Sequence, residues 1–169
     1  MAVDEPPLTD LPIEPLSAQA FAPFGTVIAA GTDGAPFGAE DAQLELSAGT
    51  PCFYIMRIPG RGLVVKGITR HRACTQVLAS VGGQPWTLMV APAKELDDPA
   101  AEPALADIRS FAIPGDVAVM LYRGSWHAGP LYEGGERGFF NLELADTNLA
   151  DHQTCTLTER YGTAMRLIA

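Results

Sequence analysis

Three histidines, His71, His127 and His152, carry the side chains of this chain whose ordinary pKa lies nearest neutrality. Two of them could share the taking and returning of a proton in one reaction cycle. His71 lies in the run Thr69-Arg70-His71-Arg72-Ala73-Cys74-Thr75-Gln76, preceded by Leu63 and Val65 at alternate positions. In a strand, period two places Leu63, Val65, Thr69 and His71 on one face and turns Arg70 to the other, unless the strand end is bulged. A tight turn then lets Gln76 return on the neighbouring strand. His127 closes Gly124-Ser125-Trp126-His127, which follows the Pro114-Gly115-Asp116 turn and a strand. Each imidazole by itself reads as a satisfied core residue. Their joint arrival in one cavity would make them an acid/base pair, and they are the expected catalytic residues. His152 falls in a polar tail and reads as surface.

Other residues complete such a site. A carboxylate-bearing substrate calls for a guanidinium fork, whose bidentate pairing fixes orientation. Arg57, Arg70, Arg72 and Arg123 lie nearest the histidines in the strand pattern, and Arg57 and Arg70 are taken as substrate-binding candidates. Gln76 can hold an amide or carbonyl group by paired hydrogen bonds. Trp126 is expected to shape the pocket. Glu143 shares a strand face with Asn141 and is a second carboxylate within reach of it.

These residues must be positioned by short strands. Candidate strands are Thr26 to Ile28, Phe53 to Arg57, Leu63 to His71, Thr75 to Ser80, Trp86 to Val90, Ile108 to Ile113, Val117 to Tyr122 and Gly138 to Leu144. Ser17 can cap a helical turn through Phe21. Gly31 to Ala42 is a loop, and Lys94 to Ala106, with Pro99 and Pro103, holds at most a helical turn. The structure of the tail from Asp146 is left open. The pattern predicts an all-β antiparallel barrel or jelly roll with short helical turns, in one domain over 13–169, behind a loose acidic tail over 1–12.

The histidine motifs resemble those of cupins, whose first motif is His-x-His followed by a Glu and whose second ends in Gly-x-x-His. Here Thr69 stands for the first His and Gln76 for the Glu. A donor set of two imidazoles and an amide is poor for Zn²⁺ or Fe²⁺, so no cofactor is expected, a weakly held divalent ion at His71 and His127 being the alternative. At a finer level the chain resembles the ureidoglycolate lyase family. Pro15-Leu16-Ser17 to Val27-Ile28 is similar to that family's opening segment. Arg70-His71 and Thr75-Gln76 look like the core of its Glu-Arg-His-Pro-x-x-Thr-Gln signature. Ile108 to Phe111, Ser125 to Leu131 and Phe139 to Glu143 are similar to later segments, so the resemblance runs from about Ile13 to Asp146. The chain departs from the family pattern at Thr69, Arg72, Ser80 and Ala128.

The resemblance implies a cupin-like barrel and an enzyme that cleaves ureidoglycolate to glyoxylate and urea in allantoin and purine catabolism. It also implies a homodimer and a small-molecule carboxylate as the main partner. The rival readings are a metal-dependent cupin, such as a dioxygenase or isomerase, and a non-catalytic cupin that binds a small carboxylate.

Composition narrows the partners. The net charge of −9 argues against nucleic acid and against an anionic membrane surface. No apolar run reaches the ~20 residues that span a bilayer. The three cysteines, an odd number at wide spacing, suggest neither a disulfide framework nor a zinc ribbon, and a reducing cytoplasm is the expected location.

Overall fold

The computed structural model describes residues 5–169. Two curled β-sheets face each other as a half-barrel, with three short helices and one 3₁₀ turn among the described residues. The chain has the all-β, cupin-like fold expected of it.

The smaller sheet has the order β2 (Gly25–Ile28), β9 (Ala118–Leu121), β6 (Gln76–Ser80), β11 (Arg137–Leu144), β3 (Pro51–Ile58). The larger sheet runs β12 (Gln153–Thr156), β5 (Gly67–Arg70), β10 (Trp126–Leu131), β7 (Trp86–Ala91), β8 (Arg109–Ile113), β1 (Leu8–Pro15), β13 (Ala164–Ile168), β4 (Val64–Val65). Ser17 caps helix α1 (Ala18–Phe21) by accepting the Ala20 N–H at 3.1 Å, as its sequence position predicts. Helix α2 (Thr147–Ala150) and helix α3 (Leu157–Tyr161) bracket β12.

Three sequence expectations need correction. The segment expected as a loose tail over 1–12 is a strand from Leu8 onward, while residues 1–4 lie outside the described residues. Leu8 to Pro12 pair in parallel with Ala164 to Ile168, and Ile13 to Pro15 pair in parallel with Ser110 to Ala112. The strand thus changes partner midway, which is how it tolerates Pro12: a proline needs one side free of ladder bonds. The sheets are accordingly not wholly antiparallel. Leu63 to His71 is also not one strand. It breaks at Lys66, where β4 leaves its partner β13 and β5 joins β10 and β12.

Two apolar clusters hold the sheets. Phe21, Phe24, Leu88, Val90, Phe111, Val119, Leu121 and Phe139 fill the space between them. Phe21 meets Phe111 edge-on at 5.5 Å, a favoured aromatic geometry. The second cluster, with Ile68, Met89, Ala91, Trp126, Leu157, Met165 and Leu167, lies behind the larger sheet. The run Leu88-Met89-Val90-Ala91 therefore feeds the two clusters alternately, and β7 is apolar without interruption because it is buried on both faces.

Candidate active site

The cavity opens where β5 and β10 of the larger sheet face β3, β6 and β11 of the smaller one. It has a volume of roughly 400 Å³. His71 and His127 both line it, with ring centroids 5.1 Å apart. Alternation explains their placement: Thr69 and His71 share the inner face, and His127 stands directly across the ladder from Thr69. The two motifs are also tied through the backbone. The Gly124 N–H donates to the His71 carbonyl at 2.6 Å. Gly124 adopts φ +78°, a backbone conformation that favours glycine, at the crossing of the two motifs.

The hydrogen bonds fix which ring nitrogens are free. Nδ1 of His71 donates to the Asp151 carbonyl at 2.6 Å, and Nδ1 of His127 to the Ser125 carbonyl at 3.3 Å. A carbonyl can only accept, so the neutral rings carry their protons on Nδ1 and keep a lone pair on Nε2. Burial lowers the pKa of His71 below the usual range, an effect opposed by the Asp151 carbonyl and by the Glu143 and Asp151 carboxylates. Burial pushes His127 down to about 3, and the His71 ring adds to the shift.

Facing the histidines is a closed polar network on the smaller sheet. Nε2 of Gln76 donates to Asn141 Oδ1 and to Glu143 Oε2, each at 3.0 Å. Asn141 Nδ2 donates to the Tyr54 hydroxyl at 3.1 Å, and that hydroxyl donates to Glu143 Oε1 at 3.3 Å. Two acceptors on the Gln76 nitrogen set the orientation of its amide. Its oxygen, Oε1, is then buried with no partner among the described residues. A buried acceptor without a donor costs about 1–3 kcal/mol.

The cavity brings together His71, His127, Gln76 and Glu143. Trp126, Arg70 and Arg57 do not join them. Trp126 precedes His127 on β10 and so faces the opposite way, into the cluster behind the sheet. Arg70, adjacent to His71, follows Trp126 to that face, and its guanidinium carbon lies 4.8 Å from the indole centroid. Its donors are taken by Gln153 Oε1 at 2.8 Å and by the carbonyls of Lys94 at 2.9 Å, Glu95 at 3.4 Å and Asp98 at 2.7 Å. It clasps the 94–98 loop and is not free for a substrate. Arg57 lies between Met56 and Ile58, which line the cavity; its own side chain points out, 78% exposed, beside Glu136 at 3.4 Å.

Several lining residues escaped the sequence reading. His152 sits with its ring centroid 5.6 Å from that of His71. Nothing in the spacing of Asp151-His152 signals this, because the approach depends on β12 pairing with β5. Tyr54 was legible in principle, as a polar residue alternating with Met56 and Ile58. Arg61 and Lys66 are the cations that line the cavity.

For a metal, His71 and His127 supply two free imidazole nitrogens, but the Gln76 amide nitrogen is bound to Asn141 and Glu143. Among the described residues no three His, Cys, Asp or Glu side chains converge as a metal-holding group. The donor set does not fit a three-histidine-and-carboxylate centre. No described helix is long and apolar enough to cross a membrane.

Comparison with known proteins gives a consistent family. The sequence model described as ureidoglycolate lyase matches residues 37–162. This match begins later than the resemblance read from the motifs and runs further, through β12 and His152. A protein named ureidoglycolate lyase from Azotobacter vinelandii is 31% identical over 129 residues, covering 69% of this chain and 74% of its own. One of the same name from Pseudomonas fluorescens is 33% identical over 132 residues, covering 69% and 74%. Another from Burkholderia mallei is 32% identical over 131 residues, covering 69% and 72%.

Proposed function

This chain belongs to the ureidoglycolate lyase family, and we propose that it cleaves ureidoglycolate to glyoxylate and urea by acid/base chemistry centred on His71. The observation that carries this reading is the pair of imidazoles lining one cavity, each with Nδ1 bound to a backbone carbonyl and Nε2 left free, opposite the Gln76–Asn141–Glu143 network.

Ureidoglycolate bears a hydroxyl, a carboxylate and a ureido nitrogen on one carbon. His71 Nε2 takes the hydroxyl proton as the oxygen closes to an aldehyde and the carbon–nitrogen bond breaks. The same nitrogen returns that proton to the departing ureido nitrogen, releasing urea. The step needs no net proton from solvent, so a single imidazole can serve as base and then acid. The Glu143 and Asp151 carboxylates favour the transient imidazolium. His127, with a pKa of about 3, stays neutral at physiological pH and acts as a hydrogen-bond acceptor for the substrate. Gln76 holds Asn141 and Glu143 in place on the opposite wall of the cavity. Arg61 and Lys66, in place of the expected Arg57 and Arg70, attract the carboxylate.

The proposal extends to the setting. β3 ends the smaller sheet, and Phe53 and Ile55 stand exposed on it, Phe53 stacked on Phe140 at 5.6 Å. An apolar edge of this kind favours pairing, and a second copy of the chain is the partner proposed. The described cysteines are all free, which suits a reducing cytoplasm.

The test is release of urea and glyoxylate from each ureidoglycolate enantiomer, with and without chelator. Equimolar products from one enantiomer, indifferent to chelator, are expected. Loss of activity on chelation would favour the metal-dependent rival. Ligand-induced thermal stabilisation without turnover would favour the binding protein.

A further inference from the structure

Asp151 turns all three of its oxygen atoms to the loop that carries His71. It lies between α2 and β12, and its N–H donates to the Thr147 carbonyl at 3.0 Å. Its carbonyl accepts the His71 Nδ1 proton at 2.6 Å. Its carboxylate accepts the next two backbone amides, Arg72 N–H on Oδ1 and Ala73 N–H on Oδ2, each at 2.7 Å. His71 itself is outside β5, which ends at Arg70, so the sheet ladder does not hold it. One residue eighty positions away therefore grips the imidazole from one side and the backbone behind it from the other.

We propose that Asp151 is the positioning residue of this site: its carboxylate clips the Arg72–Ala73 amides so that its own carbonyl meets His71 Nδ1, fixing the imidazole as the Nδ1–H tautomer with Nε2 in the cavity. The proposal rests on His71 being the base. A neutral imidazole has two tautomers, and only one leaves Nε2 able to accept a proton; selection belongs to whatever the other nitrogen bonds. The backbone carbonyl alone is a weak selector, because the loop and the α2–β12 connection can separate. The two carboxylate–amide bonds close that gap, and a charged acceptor strengthens each. The same clip carries His152, the next residue, to the cavity wall beside His71.

A purely structural clip would lower thermal stability and leave the ring's tautomer alone. The discriminating readout is the two-bond ¹⁵N–¹H correlation spectrum of the His71 ring in the full-length protein, taken with urea-release kinetics. The native protein should show the Nδ1–H tautomer. Asp151→Ala should show mixed tautomers, with turnover reduced about 10- to 100-fold and the Michaelis constant within about threefold, the range seen when a partner of a functional imidazole is removed. Asp151→Asn keeps one acceptor oxygen and should fall between the two; it decides the matter if the alanine variant does not fold. An Nε2–H tautomer in the native protein, or an unchanged Nδ1–H tautomer in the folded variants, overturns the proposal. If the native protein releases no urea, the lyase reading fails, while the tautomer comparison still decides whether Asp151 sets the ring.

Discussion

The β5–β10 strand pair has two faces built from neighbouring residues, and they do opposite work. On the inner face stand Thr69, His71 and His127, with free imidazole nitrogens facing the Gln76–Asn141–Glu143 network across the cavity. On the outer face, one residue away in each strand, Arg70 and Trp126 are buried against each other with the guanidinium bonded to one side-chain and three backbone oxygens. The outer face is polar and satisfied; the inner face is polar and left open. Hydrogen-bonding capacity without partners is what a ligand can use, so the chemistry belongs to the inner face even though the outer one holds the stronger charge.

That contrast can be broken most sharply at the histidines. His71→Ala should cut urea release about 10²–10⁴-fold with the fold retained, since this is the usual contribution of a positioned acid/base; near-native turnover would dissolve the distinction. The inner face should also be visible in stability against pH. His71 and His127 are buried as neutral rings with lowered pKa values, so below the unfolded-state pKa of about 6.5 the unfolded chain binds more protons than the native one. Stability should thus be full above that pH and, for His127, fall by up to about 1.4 kcal/mol per pH unit as pH drops towards 3, with His71 acting in the same direction. Denaturant titrations should show His127→Gln flattening this slope.

The outer face should respond differently. Arg70→Met should cost about 2–3 kcal/mol of unfolding free energy by removing the charged hydrogen bonds that hold Gln153 and the 94–98 loop, with a Michaelis constant within about twofold of native. Back at the cavity, Lys66→Ala should raise the Michaelis constant about tenfold, equivalent to ~1.4 kcal/mol, with little change in turnover. The smallest effect belongs to Arg57→Ala: an exposed side chain beside one glutamate should alter stability by less than about 0.5 kcal/mol and leave kinetics unchanged.

Alternation made much of this site legible before any coordinates. It placed Thr69 with His71, and Asn141 with Glu143, on shared faces, and the same rule disqualifies Trp126, Arg70 and Arg57, each the immediate neighbour of a cavity residue. Trp126 and Arg70 adjoin a histidine in sequence, yet in a strand the adjacent residue points to the opposite face. His152 and Asp151 were illegible for a different reason. Their approach to His71 depends on β12 pairing with β5 across more than eighty residues, and no local pattern encodes that register. The prolines of β1 hide it: Pro12 sits where the strand changes partner and Pro15 at its end.

Trp126 and His127 are consecutive on one strand and separate the two faces by a single residue. The decisive measurement is therefore kcat/KM for urea release by Trp126→Phe and His127→Gln, assayed beside the native protein. His127→Gln should lose about 10-fold or more, the cost of one substrate hydrogen bond, and Trp126→Phe should stay within about threefold of native once folded fractions are equalised. An equal loss in both, or none in His127→Gln, would contradict the assignment of chemistry to the inner face.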